Sequence, residues 1–198
     1  MTYNDVVKNI DSNEKQKTVE TSKQTTRKSP LIDSRILAEM VLMIALAVSL
    51  HLVRPIILPQ GGSITMGSMI PILLFALRRG PKLGISSGVI FGIIVVIIEP
   101  WIVHPVQFLL DYPIAFGSLG LAGFFRRWSI IGVGIGIAGR FVSHFMAGIV
   151  FFADYAPEGI HPAVYSLIYN GSFLSVEFIV SGIAIWILLK RRILDVFR

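Results

Sequence analysis

Six apolar segments follow one another along the chain, separated by short polar stretches rich in glycine and proline. They cover residues 36–53, 67–77, 83–98, 106–125, 130–152 and 163–189. A helix needs about 20 apolar residues to cross a bilayer, so the second segment is short for a full span and the others are close to that length. The pattern predicts an all-α integral membrane protein with six transmembrane helices.

The first 34 residues differ from the rest, because they are rich in Lys, Glu, Ser, Thr, Gln and Asn and show almost no apolar periodicity. Such a composition cannot bury enough apolar surface to fold alone. We therefore expect a disordered cytoplasmic tail over 1–34 and a six-helix membrane domain over 35–198. The tail lacks the apolar core of a signal peptide, so no cleavage is expected.

Basic residues cluster at alternate ends of the apolar segments. The turns after the second and fourth segments and the end of the sixth carry eight of them (residues 78, 79, 82, 126, 127, 190, 191 and 192), whereas the other three loops carry only Arg54. Cytoplasmic loops are the ones enriched in Lys and Arg. The distribution predicts that both termini are cytoplasmic and that the first, third and fifth loops face outward.

The composition agrees with a membrane location, since 54% of the residues are hydrophobic, 15% are charged and the mean hydropathy is +0.72. Most of the 18 Lys and Arg residues lie in the tail or at helix ends, so the net charge of +6 is a poor nucleic-acid signal; we expect no nucleic-acid partner and count membrane lipid as the surrounding partner. The absence of cysteine excludes disulfides, thiol catalysis and cysteine-ligated metals.

An acidic residue, Asp111, falls near the start of the fourth apolar segment. A carboxylate at membrane depth costs about 2.5–3.5 kcal/mol on insertion scales and is therefore a candidate functional group. The predicted orientation brings it to the same outer level as several polar and aromatic side chains: Trp101, Tyr112, His144, Gly148, Phe152, Tyr165 and Asn170. An acidic group among aromatic rings is typical of a pocket for an organic cation.

Each of these residues also has a structural interpretation. Asp111 could cap a helix, His144 and Asn170 could hydrogen-bond between helices, and the aromatic residues could form an interfacial belt. Arg140 and Glu177 fall in the middle of the fifth and sixth segments, and we expect them to form a buried ion pair with a structural role.

Several catalytic patterns are missing. The sequence contains no G-x-x-x-x-G-K-[ST], so it cannot bind ATP through a P-loop, and no H-E-x-x-H or G-x-S-x-G. A hydrolase triad of Ser143, His144 and Asp111 is disfavoured because the first two residues are adjacent on one helix and point about 100° apart. We expect no enzymatic activity and no resident cofactor or metal.

Three blocks in order carry a resemblance to a known family: GGSITMGSMIPILLFALRRG (61–80), HPVQFLLDYPIAFGSLGLAGFFRR (104–127) and RFVSHFMAGIVFFADYAPEG (140–159), followed by AVYSLIYNG (163–171). The sequence resembles the thiamine-specific substrate-binding (S) components of energy-coupling-factor (ECF) vitamin transporters. The resemblance covers about residues 35–192.

The resemblance implies a six-helix protein that binds thiamine in an outward pocket. According to the resemblance, Asp111 occupies the position at which the family usually has a glutamate that faces the thiazolium. Phe152 occupies the position at which a relative has a tryptophan. The other implied ligand contacts are Trp101, Tyr112, His144, Gly148, Tyr165 and Asn170, with His144 and Asn170 hydrogen-bonding the pyrimidine. The family's docking motif on the first helix would fall on Val41 and Ala45, and is half present.

The resemblance further implies capture of thiamine outside the cell membrane and release inside with a coupling membrane protein and two cytosolic ATPase subunits. Two alternatives remain open. One is an S component for another vitamin or a thiamine precursor, and the other is an intramembrane enzyme.

Overall fold

A computed structural model of the chain describes residues 14–16 and 33–191. The chain divides into two compact units, Met1–Ala38 and Glu39–Arg198. The predicted tail over 1–34 lies almost wholly outside the described residues, so it stays a prediction.

Within residues 33–191 the chain contains six helices of more than ten residues, and their positions agree with the apolar pattern to within about two residues. They are α1 (Ser34–His51), α2 (Met69–Arg79), α3 (Pro81–Ile98), α4 (Pro105–Phe125), α5 (Ser129–Phe151) and α6 (Pro162–Lys190). In the described residues, five of these are long and apolar enough to cross a membrane, and α2, with 11 residues, is the exception. The chain is therefore a multi-pass helical membrane protein.

The basic turn between α2 and α3 is held by charged contacts. Gly80 adopts a φ of 95°, which a glycine allows without steric cost, and Pro81 starts the next helix. Glu39 of α1 accepts from Arg79 Nε at 2.8 Å and lies 2.7 Å from Arg78 Nη1. Arg126 donates from Nε to the carbonyl of Leu77 at 3.0 Å, which satisfies the end of α2.

Glycines at a spacing of four bring α3 and α4 into backbone contact. A Cβ atom on Gly88 would lie 2.2 Å from the carbonyl oxygen of Phe116, and one on Gly92 would lie 2.6 Å from that of Tyr112. Small residues at this spacing let two membrane helices approach closely. The glycine-rich part of the third apolar segment is thus a helix contact surface.

The helix α4 is irregular, although the apolar pattern predicts one regular helix. It begins as an α-helix over Pro105–Leu109, makes a π-turn over Leu110–Ile114, returns to α and ends as a 3₁₀-helix over Leu119–Phe125. Pro113 lies inside the π-turn. The carbonyl of Leu110 accepts a hydrogen bond from the Ser143 hydroxyl at 2.6 Å, in addition to the one from the N–H of Ala115 that closes the π-turn. Helix α5 therefore supports the irregular turn.

The loop between α1 and α2 forms a small hairpin in which Ile56 pairs with Ile64. Its tip is bound to α6, because the hydroxyl of Tyr169 donates to the carbonyl of Pro59 and accepts from the N–H of Gly62. The position of the loop tip is thereby tied to α6.

The expected ion pair between Arg140 and Glu177 does not form. Glu177 Oε1 instead accepts from the N–H of Thr65 at 2.5 Å and from its hydroxyl at 2.7 Å, which fixes the chain just after the hairpin strand Ser63–Ile64 to α6. The guanidinium of Arg140 lies 4.2 Å from the ring centre of Phe116. The sequence prediction was wrong because Glu177 has a nearer partner in the loop, Thr65, and Arg140 has nearer partners in Phe116 and His144.

Candidate ligand-binding site

A cavity of about 530 Å³ opens between the α1–α2 loop, the α3–α4 loop and the helices α4, α5 and α6. This volume is in the range of pockets for small organic molecules. The eight residues that the sequence singled out all line it: Trp101, Asp111, Tyr112, His144, Gly148, Phe152, Tyr165 and Asn170. Their role as ligand contacts stays a prediction, but the structure brings them together.

The carboxylate of Asp111 is anchored at both oxygens. Oδ1 lies 2.7 Å from Nδ1 of His144, and Oδ2 accepts from Nε2 of Gln107 at 2.7 Å. Asp111 sits in the π-turn of α4, one turn after Gln107. Two such hydrogen bonds fix the orientation of the carboxylate in the cavity wall and compensate part of its cost at membrane depth.

Arg140 determines the proton arrangement on His144. Its Nε donates to Nε2 of His144 at 3.2 Å, and because a guanidinium can only donate, Nε2 is the acceptor. The ring proton is then on Nδ1, and the bond from Nδ1 to Asp111 is a donated one. Both nitrogens of His144 are engaged, so this side chain holds Asp111 in place.

The α3–α4 loop is fastened to α4 by Tyr112 and Gln107. The Tyr112 hydroxyl donates to the carbonyl of Glu99 at 2.9 Å and accepts from the N–H of Trp101 at 3.0 Å. Gln107, 1% exposed, also donates to the carbonyl of Trp101 at 3.0 Å. These bonds fix the backbone of Trp101, whose side chain is 41% exposed and lines the cavity.

Aromatic rings form much of the remaining wall. Tyr165 and Tyr169 stack with their ring centres 5.9 Å apart, and Phe173 meets both Tyr169 and His144 edge-on at about 6 Å. Phe152 lies at the end of α5. Ring faces attract a positive charge, so such a wall suits a flat cationic ligand.

Gly148 and Asn170 lie where α5 meets α6. A Cβ atom on Gly148 would lie 2.2 Å from Oγ of Ser166, so glycine is required for the helices to approach. The amide nitrogen of Asn170 donates to the carbonyl of Ser166 at 3.0 Å and to its hydroxyl at 3.2 Å. The oxygen of this amide has no hydrogen-bond partner within residues 33–191, and Asn170 lines the cavity.

Several polar lining residues were missed from the sequence, among them His51, Glu99, Gln107 and Arg140. The i, i+4 spacing of Gln107 and Asp111 in an apolar helix was a usable signal. Glu99 and His51 were not recognisable, because each lies at a helix end that the tertiary fold alone brings to the cavity. Burial raises the pKa of the Glu99 carboxyl, and the neighbouring guanidinium of Arg54 opposes that rise.

The arrangement does not form a hydrolytic site. The hydroxyl of Ser143 is bonded to the carbonyl of Leu110, away from the Asp111–His144 pair. In the described part of the chain, no group of three His, Cys, Asp or Glu side chains is placed to hold a metal ion.

A multi-pass helical protein with a deep cavity, an anchored carboxylate and aromatic walls is a membrane protein that holds a small organic solute. Comparison with known proteins identifies the family within this class. The family model described as Thiamine transporter protein (Thia_YuaJ) matches residues 37–195, and the chain belongs to this family. Its relatives are named transporters, and it is accordingly a multi-pass transport protein of the cell membrane, not an enzyme.

Individual proteins similar to this chain agree with the family match. The chain is 36% identical to "Thiamine transporter ThiT" of Bacillus subtilis (strain 168) over 171 residues, which is 77% of this chain and 88% of the relative. It is 32% identical to the protein of the same name from Lacticaseibacillus paracasei over 141 residues, 61% of this chain and 70% of the relative. A solved structure of ThiT from Listeria monocytogenes superposes with a TM-score of 0.73 at 28% identity and covers 80% of this chain and 96% of that one.

Proposed function

We propose that this protein is a high-affinity thiamine-binding S component of an ECF-type transporter. It captures thiamine at the outer face of the cell membrane for ATP-driven uptake. The observation that carries the proposal is the carboxylate of Asp111, which is fixed by His144 and Gln107 in a cavity walled by aromatic rings. The likeness to proteins named thiamine transporters supports the same ligand.

In this proposal the thiazolium of thiamine lies next to Asp111, and the rings of the ligand stack on the aromatic side chains. The attraction between a desolvated cation and a ring face is worth about 2 kcal/mol. Aspartate is one methylene shorter than glutamate, and anchoring at both oxygens holds it toward the cavity. His144 acts through Asp111, because its two nitrogens are already bonded, and Asn170 accepts a hydrogen bond from the ligand.

The proposed topology has six membrane segments, with α2 as a short, partly inserted one, and both termini in the cytoplasm. It is supported by the basic residues at the α2–α3 and α4–α5 turns and at the end of α6. The cavity then opens outward, since the loops that line it carry no Lys or Arg of their own except Arg54.

Uptake requires partners, because the sequence has no P-loop and cannot hydrolyse ATP in that way. We propose a coupling transmembrane protein and two cytosolic ATPase subunits. The side chains of Val41 and Ala45 on α1 are exposed and offer a contact surface for the coupling protein. The other exposed apolar side chains are expected to face membrane lipid.

A ligand panel tests the proposal on the purified chain in detergent. Calorimetric titration with thiamine, thiamine monophosphate and the hydroxymethyl aminopyrimidine fragment should give saturable binding that is tightest for thiamine. The uncharged fragment should bind at least 10-fold more weakly, because it cannot pair with Asp111. Tighter binding of the fragment would instead indicate an S component for a precursor, and chemical conversion of any bound compound would indicate an enzyme.

A further inference from the structure

Two neighbouring turns, α2–α3 and α4–α5, lie at the ends of α3 and α4 that are remote from the cavity, and none of their residues lines it. They carry five basic side chains: Arg78, Arg79, Lys82, Arg126 and Arg127. The backbones of the turns are in contact, because a Cβ atom on Gly123 would lie 2.5 Å from the nitrogen of Pro81. Arg126 also donates to the carbonyls of Leu77 and Arg78. The two turns therefore form one basic surface.

Three of the five charges on this surface already have partners within the protein. The two arginines of the α2–α3 turn pair with Glu39, and Arg126 is bonded to the end of α2. Lys82 and Arg127 are exposed, and within residues 33–191 neither side chain forms an ion pair or a hydrogen bond. The first turns of α3 and α5, which start beside these two residues, contain no acidic side chain. Two positive charges are thus left for an anion from outside the chain.

Large aromatic side chains flank these charges. Phe124, in the last turn of α4, is 67% exposed, and Trp128, just before α5, is 63% exposed. In membrane proteins, exposed aromatic rings beside basic residues are typical of the level at which lipid headgroups lie. The rings therefore place the unbalanced charges of Lys82 and Arg127 next to lipid phosphates, and they offer apolar surface to the upper part of an acyl chain.

We propose that Lys82 and Arg127, with Phe124 and Trp128, form a basic patch that binds the headgroup of an anionic phospholipid. The guanidinium of Arg127 donates to two phosphate oxygens, and the ammonium of Lys82 pairs with the same phosphate. A zwitterionic lipid is bound less well, because its own cation competes for the phosphate. Each Lys or Arg near an anionic membrane surface strengthens the attraction by about 5-fold. This inference is independent of the ligand in the cavity.

Native mass spectrometry of the full chain in detergent tests the basic patch. Bound lipid is measured with phosphatidylglycerol and with phosphatidylcholine of the same acyl chains. The wild type should prefer phosphatidylglycerol by at least about 10-fold, and the double variant Lys82→Gln/Arg127→Gln should lose most of that preference, about 5-fold for each charge. The matched control is Lys190→Gln/Arg191→Gln, which removes the same charge at the end of α6 and should keep the preference.

Two further arms complete the test. Lys82→Arg/Arg127→Lys retains both charges and should retain the preference, and the thermal unfolding temperature of each variant shows that it is folded. Glycerophosphoglycerol, the same headgroup without acyl chains, should not bind measurably.

Three outcomes would overturn the proposal. A wild type without preference for phosphatidylglycerol would mean that these charges serve an acidic protein partner instead. Equal loss of preference in both double Gln variants would mean that lipid is attracted by the overall charge and not by this patch. Binding of glycerophosphoglycerol as tight as that of the lipid would mean that the patch holds a soluble anion.

Discussion

The Nδ1 atom of His144 lies 2.7 Å from Oδ1 of Asp111 and joins helix α5 to the π-turn of α4. Since Arg140 donates to the other nitrogen of the same ring, His144 must donate to the carboxylate. The acidic group of the cavity is therefore held in position by a side chain on a different helix, and the ligand affinity should depend on both residues together.

Replacement of His144 tests this dependence. His144→Phe keeps the ring contact with Phe173 but removes the bond to Asp111, so thiamine affinity should fall about 10-fold, or about 1.4 kcal/mol. The double variant with Asp111→Asn should lose less than the sum of the two single losses, because both act through one carboxylate. Additive losses in calorimetric titrations would mean that His144 contributes separately from Asp111.

Tyr169 is expected to control how long the ligand stays bound. Tyr169→Phe removes the hydroxyl that holds Pro59 and Gly62 at the tip of the α1–α2 loop, so that loop should open more often. The dissociation rate of thiamine should rise several-fold in stopped-flow fluorescence, with a smaller change in the association rate. Tyr155→Phe, at an exposed site outside the cavity, is the control, and an unchanged dissociation rate in Tyr169→Phe would contradict the role of the tip contacts.

Close contact of α3 with α4 predicts a strong effect of one added methyl group. Gly88→Ala would place Cβ against the backbone of Phe116, which cannot move away as a side-chain end could, and should lower the thermal unfolding temperature by several degrees. At Gly182 on α6 nothing lies within 4 Å of an added Cβ, so Gly182→Ala should leave stability unchanged or slightly higher. Equal effects of the two variants would show that the close approach is not required.

The buried carboxylate of Glu177 predicts a coupled pair of variants. Glu177→Gln removes the charge from both bonds between α6 and the loop, whereas Thr65→Val removes the hydroxyl bond and leaves the backbone N–H bond; each should cost about 1–3 kcal/mol. Combined, they should cost less than the sum in thermal unfolding, since both variants weaken the same hydroxyl–carboxylate bond. A sum of the two single effects would argue against this contact.

The sequence was sufficient to predict the positions of the helices and the candidate role of Asp111, but not the irregular shape of α4. Helix positions could be predicted because apolar segments of membrane length end at breakers such as Arg54 and Gly80, and Asp111 stood out because a carboxylate is costly there. The π-turn around Asp111 could not be predicted, since the hydroxyl that supports it, donated by Ser143 to the carbonyl of Leu110, comes from a different helix.

Pairing of buried charges was the weakest part of the prediction. Arg140 and Glu177 are the mid-helix charges of α5 and α6, and the sequence offered no partner for either except the other. In the folded chain Thr65 donates to Glu177, a contact that depends on a loop position that hydropathy does not encode. Arg140 donates to His144 one turn along the same helix, an i, i+4 spacing that the sequence does contain. Glu99 and His51 were missed for the same reason as the Thr65 contact.

The most direct test is calorimetric titration of thiamine into the wild-type protein, Asp111→Asn and the exposed control Asp154→Asn, all purified in detergent. We expect saturable binding to the wild type and the control, and an affinity at least about 30-fold lower for Asp111→Asn, or about 2 kcal/mol, because the cation loses its paired charge in a desolvated site. Binding to Asp111→Asn with wild-type affinity would contradict the account, as would a folded wild-type protein that does not bind thiamine.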